Sequence, residues 1–214
     1  MNNKPCVIED GIVAGNVYDK YGSKNPITRY LMHGFNRAIA ELVSLTHASE
    51  AHEVGCGEGH LTCWLAENNR ISIRASDFSN EIIEKAKVVV SSAKLDIPFK
   101  VQSIYDLQAG EDSAELIVCC EVLEHLPDPA RAMEILAKLA NPYLLVSVPR
   151  EPLWRILNIM RGGYLTHLGN TPGHIQHWSS RSFLNMLTQY VDIVAVRTPL
   201  PWTVALCRVR DNAK

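Results

Sequence analysis

The sequence predicts an α/β domain with a mainly parallel sheet and helices on both faces. Three observations predict it. From residue 51 to residue 149, short apolar runs alternate with longer segments of helical periodicity. A glycine-rich turn sits where the first of those runs hands over to the first of those helices. The chain has 214 residues, enough for one full core and too few for two ordinary ones. Strands that alternate with helices form βαβ units, and the right-handed crossover then places helices on both sides of the sheet.

The elements follow in order. Residues 1–25 are polar with scattered aromatics and no clear period. Pro26–Leu45 reads as an amphipathic helix, because Ile27, Leu31, Phe35, Ile39 and Leu42 recur at spacings of three and four. Ala51–Val54 is a strand and His60–Asn68 a helix. Ile71–Ser76 is a strand and Asn80–Lys94 a helix. Phe99–Ser103 is a strand before an irregular stretch, Glu115–Cys120 a strongly apolar strand, and Pro129–Ala140 a helix. Tyr143–Val148 is a strand that ends at Pro149. Residues 150–178 hold Gly162, Gly163, Gly169, Pro172 and Gly173 with three histidines and read as a long insertion with a short helix at its start. Helix Ser180–Tyr190 and strands Asp192–Thr198 and Thr203–Val209 close the chain, the last two near enough to pair as a hairpin. This divides one domain into an N-terminal cap (1–45), a core (46–149), the insertion (150–178) and a closing unit (179–214).

Composition narrows the function. A net charge of -2 offers no basic excess to neutralise phosphates, so a nucleic-acid partner is not expected. No apolar run is long enough to cross a membrane, and the first residues lack the apolar stretch of a signal peptide. Cysteines 6, 56, 63, 119, 120 and 207 are scattered without a CxxC pair, which suits reduced, buried thiols. Together these features point to a cytoplasmic protein.

The first chemical signal is Glu53-Val-Gly55-Cys56-Gly57-Glu-Gly59. Glycines at a strand-to-helix turn let the backbone approach a ligand, and the following helix start favours an anionic group. The second strand ends near Asp77, 22 residues after Gly55, where an acid can accept hydrogen bonds from ribose hydroxyls. A dinucleotide fingerprint has glycines at GxGxxG, whereas here the third glycine comes one residue early. Loop and acid thus indicate an adenosine-type ligand without choosing between a nicotinamide cofactor and S-adenosylmethionine.

The choice comes from resemblance. Glu53–Gly59 resembles motif I of the class I methyltransferases, and Asp77-Phe78-Ser79 resembles their motif II. Ile104-Tyr105-Asp106-Leu107 resembles the segment whose acid meets the adenine amino group. Glu115–Pro127, ELIVCCEVLEHLP, resembles the fourth-strand motif of the type 11 subgroup, which includes the ubiquinone O-methyltransferases, and Tyr143–Pro149 fits the fifth strand. The resemblance covers roughly residues 50–150, with all motifs in order. It implies a Rossmann-like sheet of seven strands with the last antiparallel, an N-terminal helical cap, S-adenosylmethionine as cofactor and a small molecule as methyl acceptor.

Residue roles implied by that resemblance run along the chain. Glu53 orients the methionine amino group or orders its loop. Gly55, Cys56, Gly57 and Gly59 carry the cofactor past the backbone. Asp77 holds the ribose, Phe78 lies on the adenine, and Tyr105 and Asp106 frame its amino edge. Glu121, at the end of the fourth strand, stands next to the sulfonium, with a solvated helix-start acid as the alternative. His125 is a candidate base, substrate contact or metal ligand, or else a structural residue. In the ubiquinone-type relatives this acid-rich region is linked to metal.

The insertion places His167, His174, His177 and Trp178 on the substrate side of such a fold. His174 and His177 are candidate bases, although His177, Trp178 and Ser179 also suit the start of the next helix. Three histidines with no acid or cysteine at ligand spacing do not define a metal set, so none is assigned. Tyr18 and Tyr21 are read with the first helix as a lid over the acceptor, and Tyr164 and Trp178 as further substrate contacts. Arg29, Arg37, Arg150 and Arg155 border these regions and suit an acidic substrate or an ordinary surface. The expected reaction is methyl transfer to a hydroxyl oxygen. N- or C-methylation, a non-catalytic binding module and a nicotinamide-dependent oxidoreductase are the alternatives. No Tyr-x-x-x-Lys pair follows the fourth strand to support the last of these.

Overall fold

The computed structural model describes residues 7–9, 12–15, 20–69, 71–160, 168–171 and 173–210. A short antiparallel hairpin, β1 (Val7–Glu9) and β2 (Ile12–Ala14), opens the chain where no period was legible. Helix α1 spans Pro26–Ser44. The core then follows as β3 (Glu50–Val54), α2 (His60–Asn69), β4 (Ser72–Asp77), α3 (Asn80–Ser92), β5 (Phe99–Val101), β6 (Ala114–Cys120), α4 (Pro129–Leu139) and β7 (Ala140–Pro149). Helices α5 (Leu153–Met160) and α6 (Ser180–Leu187) precede β8 (Asp192–Arg197) and β9 (Trp202–Arg208). One-turn 3-10 helices lie at Ile104–Asp106 and Leu123–His125.

The seven-stranded sheet runs β5-β4-β3-β6-β7-β9-β8. Strands β3 to β7 pair in parallel, and β9 is antiparallel to both β7 and β8. This is the expected mainly parallel sheet with a reversed final strand. Both strands flanking the glycine loop therefore point their carboxyl ends to one edge, where ligands of open α/β sheets bind.

Alternate residues of β6 face opposite layers, as the period of two requires. Ile117 and Cys119 meet α4 and α6 through Met133, Leu136, Phe183 and Leu187. Leu116 and Val118 meet α1 and α2 through Ile39, Leu42, Leu61 and Leu65. Burial on both faces accounts for the nearly unbroken apolar run of that strand. Helix starts are fixed by short polar side chains: Asn25 accepts from the Ile27 N–H at 2.9 Å, Ser79 from Ile82 at 3.3 Å, Asp128 from Arg131 at 3.0 Å and Ser179 from Ser182 at 3.1 Å. Pro26 and Pro129 occupy first-turn positions that need no N–H donor.

Boundaries differ from the sequence reading in instructive ways. Strand β7 begins at Ala140 and takes in the cis peptide before Pro142, so α4 stops one residue earlier than its periodicity suggests. Strand β5 is three residues long, because Ser103 already caps the next turn by accepting from Tyr105. Helix α6 ends at Leu187. On α1 the buried stripe runs from Met32 to Val43, while Ile27 is 69% exposed. The first turn of α1 overhangs the sheet edge instead of entering the core.

Leu116 is fully buried between the sheet and α1/α2. Leu116→Ala is expected to destabilise the chain by about 2–5 kcal/mol, read as a lowered urea midpoint with unchanged m-value.

Candidate functional site

The glycine loop is held by the strand beside it. The N–H groups of Gly55 and Cys56 both donate to the Ser76 carbonyl, at 2.8 and 3.0 Å. The Asp77 carboxylate accepts from the Gly57 N–H at 2.9 Å and from the Ser79 N–H at 3.1 Å. Beneath the loop, buried His52 joins the Ser76 hydroxyl (2.9 Å) to the Asp112 carbonyl (2.8 Å). Burial lowers the His52 pKa, so the ring stays neutral in this network. Gly55 has φ +75°, and a Cβ there would stand 2.4 Å from the Val122 side chain. Gly57 instead faces open space. Gly59, read from sequence as a cofactor contact, packs on α3, where its Cβ would lie 3.1 Å from that of Ala86. It serves helix packing and does not line the cavity.

A cavity of about 820 Å³ opens above this loop. Its first half is lined by Glu53, Gly55, Cys56, Gly57, Asp77 and Phe78, and by Tyr105 and Asp106. Glu53 is buried and accepts from the Thr62 hydroxyl at 2.5 Å. Desolvation pushes its pKa up to about 8, opposed by the Thr62 hydrogen bond. The Tyr105 hydroxyl donates to the Asp128 carbonyl at 3.1 Å, which fixes the ring at the start of α4.

The second half is aromatic and apolar. Leu31, Met32 and Phe35 enter from α1, Trp154 and Leu157 from α5, and Trp202 from β9. Trp202 packs on Phe35 (4.8 Å) and Trp154 (5.9 Å). Tyr21, a predicted substrate contact, lines this half and stacks on His60 at 4.6 Å. Glu121 stands at its floor with φ +61°, a conformation that side chains other than glycine rarely hold. Its carboxylate accepts from the Trp202 indole N–H at 2.6 Å and from the Ser147 hydroxyl at 3.5 Å. Burial raises the Glu121 pKa, and Lys20 opposes that shift.

The insertion folds back onto the end of β6. The Ile175 and Gln176 N–H groups donate to the Glu124 carbonyl at 2.9 and 3.0 Å, and the Gln176 side chain donates to the Leu126 carbonyl. His125 Nδ1 lies 3.0 Å from the Gly173 carbonyl, so Nδ1 carries the proton and Nε2 the lone pair. His125 and His174 meet edge to face at 4.8 Å, and His174 stacks on Trp154. Burial lowers the pKa of both rings, His174 to about 3 with His125 adding to the effect.

Glu124, His125 and His174 bring one ligand atom each within 4.8 Å of one another, the grouping of metal-ligand type found among the described residues. Both carboxylate oxygens of Glu124 are buried without a hydrogen-bond partner, and burial raises its pKa. The sequence reading named His125 as a possible metal ligand but weighed a metal set only among the three histidines of the insertion, and so assigned none. The acid that completes the group, Glu124, comes with His125 from the turn after β6, on which the insertion folds.

Besides Gly59, two predicted site residues lie outside the cavity lining. His177 is exposed and shared between Arg155 (2.8 Å) and Asn170 (2.9 Å), outside the cavity lining. Trp178 packs on Phe183 at 5.9 Å and bridges to Arg150, which gives it a structural place at the start of α6. Tyr18, Tyr164 and His167 lie outside the described residues. Arg29, Arg37, Arg150 and Arg155 do not line the cavity, and Arg37 and Arg155 pair with Glu41 and Glu151. Sequence reasoning missed Lys20, Phe35, Glu124, Trp154 and Trp202 as lining residues. Phe35 falls in the apolar stripe of the first helix, Trp154 in the short helix that opens the insertion, and Trp202 after a proline-rich turn far from every motif.

Gly55→Ala is expected to strain the loop through both its φ and its contact with Val122. Thermal unfolding should show a loss of roughly 1–3 kcal/mol, with the larger part of the damage in ligand binding.

Comparison with known proteins then bears on this geometry. A family model described as a methyltransferase domain matches residues 29–190. The ubiquinone biosynthesis O-methyltransferase of Xanthomonas oryzae pv. oryzae (strain PXO99A) is 26% identical over 163 residues, which is 73% of this chain and 66% of that protein. That of Xylella fastidiosa (strain M23) is 32% identical over 130 residues, 58% of this chain and 50% of that protein. The chain thus spans between half and two thirds of the length of these curated relatives. Among solved structures, magnesium protoporphyrin IX methyltransferase from Synechocystis PCC 6803 with bound SAM is similar with a TM-score of 0.66 at 17% identity, over 90% of this chain and 88% of that one. The PH0226 protein from Pyrococcus horikoshii OT3 is similar with a TM-score of 0.68 at 11% identity, over 87% and 93%. These structural likenesses show a shared fold, while the family match takes in the glycine loop, Asp77 and the end of β6 together. The chain belongs to the methyltransferase domain family.

Proposed function

We propose that this chain transfers the methyl group of S-adenosylmethionine to a hydroxyl oxygen of a small-molecule acceptor. The carrying observation is one cavity that joins the glycine loop to an aromatic compartment floored by Glu121, His125 and His174. The likeness to ubiquinone biosynthesis O-methyltransferases supports oxygen as the acceptor atom. A cytoplasmic setting belongs to this reading, and the five described cysteines, all buried and free, suit a reducing compartment.

The residues present fit the cofactor. Open space beside Gly57 leaves room for a ligand against the backbone, and Asp77 stands at its edge. Asp77 holds the ribose, with Phe78, Tyr105 and Asp106 around the adenine. Glu53, at the buried end of the loop, takes the amino group of the methionine moiety. When bound, the cofactor supplies an activated methyl on a positively charged sulfur. It would supply that methyl to the acceptor oxygen, a C–O bond forming as the S–C bond breaks. Most of the acceleration is positional, of the order of 7–11 kcal/mol for a well-aligned pair.

A hydroxyl acceptor must lose its proton. His125 suits that step because its Nε2 lone pair is unprotonated at neutral pH and its Nδ1 proton is tied to Gly173. His174 aligns His125 and lines the acceptor pocket. Phe35, Trp154 and Trp202 offer flat apolar faces to an aromatic acceptor and exclude water. A second reading keeps the oxygen acceptor and adds a divalent cation, favoured by the two unpartnered oxygens of Glu124. Glu124, His125 and His174 would hold it, and it would supply Lewis acidity to the hydroxyl.

Three measurements test this. Calorimetry should show micromolar binding of S-adenosylmethionine that is lost in Asp77→Ala, and no binding of NADH. With a catechol as trial acceptor, His125→Ala should lower kcat by about 10²–10⁴ with the cofactor Kd unchanged; dialysis against EDTA separates the cation reading from the histidine-base reading by whether activity falls. Glu53 should also leave a pH signature. Its raised pKa keeps it protonated below about pH 8, and pairing with an ammonium needs the ionised form. Cofactor affinity is therefore expected to rise with pH between 6 and 8 by up to about ten-fold per unit, with proton release, and Glu53→Gln should abolish that slope.

A further inference from the structure

The described residues that line the cavity include one lysine and no arginine. Lys20 comes from the segment that precedes α1. Its Nζ lies 3.9 Å from Glu121 Oε2, and the two side chains are only 17% and 14% exposed. The same ammonium stands 5.8 Å from the ring centre of Tyr21 and 6.0 Å from that of Trp202. Trp202 donates its indole N–H to that same oxygen of Glu121. A carboxylate and two aromatic faces around one positive charge form a cation subsite.

The sheet order brings a second cation to this place. A cofactor with its adenosine over Asp77 and the residues after β5 lies across strand ends in the order β5-β4-β3-β6. Its reactive end then passes the glycine loop of β3 and arrives at the end of β6, where Glu121 stands. We propose that Lys20 is a stand-in for the sulfonium: its ammonium occupies the Glu121–Tyr21–Trp202 subsite until the charged sulfur takes it, so Lys20 sets how strongly the chain distinguishes S-adenosylmethionine from S-adenosylhomocysteine. This rests on the reading of Glu121 as the residue facing the sulfonium. Two cations at one carboxylate repel each other, so the lysine withdraws when the charged cofactor enters. The product carries a neutral sulfur and leaves the Lys20–Glu121 pair intact. The segment before α1 thereby responds to whether a methyl group is loaded.

The test is the ratio of calorimetric dissociation constants for S-adenosylmethionine and S-adenosylhomocysteine, measured on the full chain. Lys20→Met should tighten S-adenosylmethionine by about ten-fold and change S-adenosylhomocysteine by less than about two-fold, because only the former competes for the subsite. Lys20→Arg keeps the charge and should keep the native ratio. Glu121→Gln should shift the ratio the opposite way, weakening the charged ligand. An unchanged ratio in Lys20→Met, with a shifted one in Glu121→Gln, overturns the role of Lys20 and leaves the reading of Glu121 standing. An unchanged ratio in both overturns both. A Lys20→Met chain that loses both ligands alike, or a Lys20→Arg chain that behaves as Lys20→Met does, also overturns the proposal, since either marks a lysine that merely holds its segment in place.

Discussion

The structure depends on how two parallel strands end together. Strands β3 and β4 stay in register to Val54 and Ser76, and there the ladder stops being a sheet. The Ser76 carbonyl takes two N–H groups of the loop that leaves β3, and the next residue on β4, Asp77, takes a third. A glycine loop is entropically expensive to order. Here the order comes from a neighbouring strand that is itself fixed by burial on both faces. His52 tightens the same point from below through Ser76. The cavity floor is therefore as rigid as the sheet, which positions a ligand far better than a free loop does.

The opposite wall is built differently. It consists of the first turn of α1, the helix α5 and the loop around His174, none of which belongs to the parallel core. The loop around His174 is fastened to the residues after β6 by hydrogen bonds to the Glu124 and Leu126 carbonyls and from His125 to the Gly173 carbonyl, while α1 and α5 meet β9 through the Phe35 and Trp154 packing on Trp202. The cavity thus joins a wall built on the parallel strands to one assembled from helices and a loop outside them.

The same division explains what could be read from sequence. The alternation of strands and helices and the loop from Glu53 to Gly57 are local patterns, and the structure keeps them. Asp77 was legible because its spacing from the loop reflects one βαβ unit. The aromatic half of the cavity was not legible, because its residues meet only through the fold. His177 looked functional by type and neighbours, yet a shift of three residues along an extended loop turns it out to Arg155 while His174 turns in. Glu124 was hidden beside more obvious residues, and its burial without partners has no signature in one dimension. Trp202 reads as an ordinary strand residue until the sheet order sets β9 against β7 and brings its indole to Glu121.

Glu121 carries a consequence of its own. At φ +61° the backbone wants glycine, and any side chain there holds a conformation that costs stability. A chain selected for robustness alone would relax that position, and Glu121→Gly would relieve the strain without disturbing the core on either side of β6. That a carboxylate stands there instead, gripped by an indole, a hydroxyl and an ammonium, marks a position where durability and chemistry pull in opposite directions. A design that placed glycine at 121 would gain a sturdier corner and lose the carboxylate that the indole, the hydroxyl and the ammonium surround.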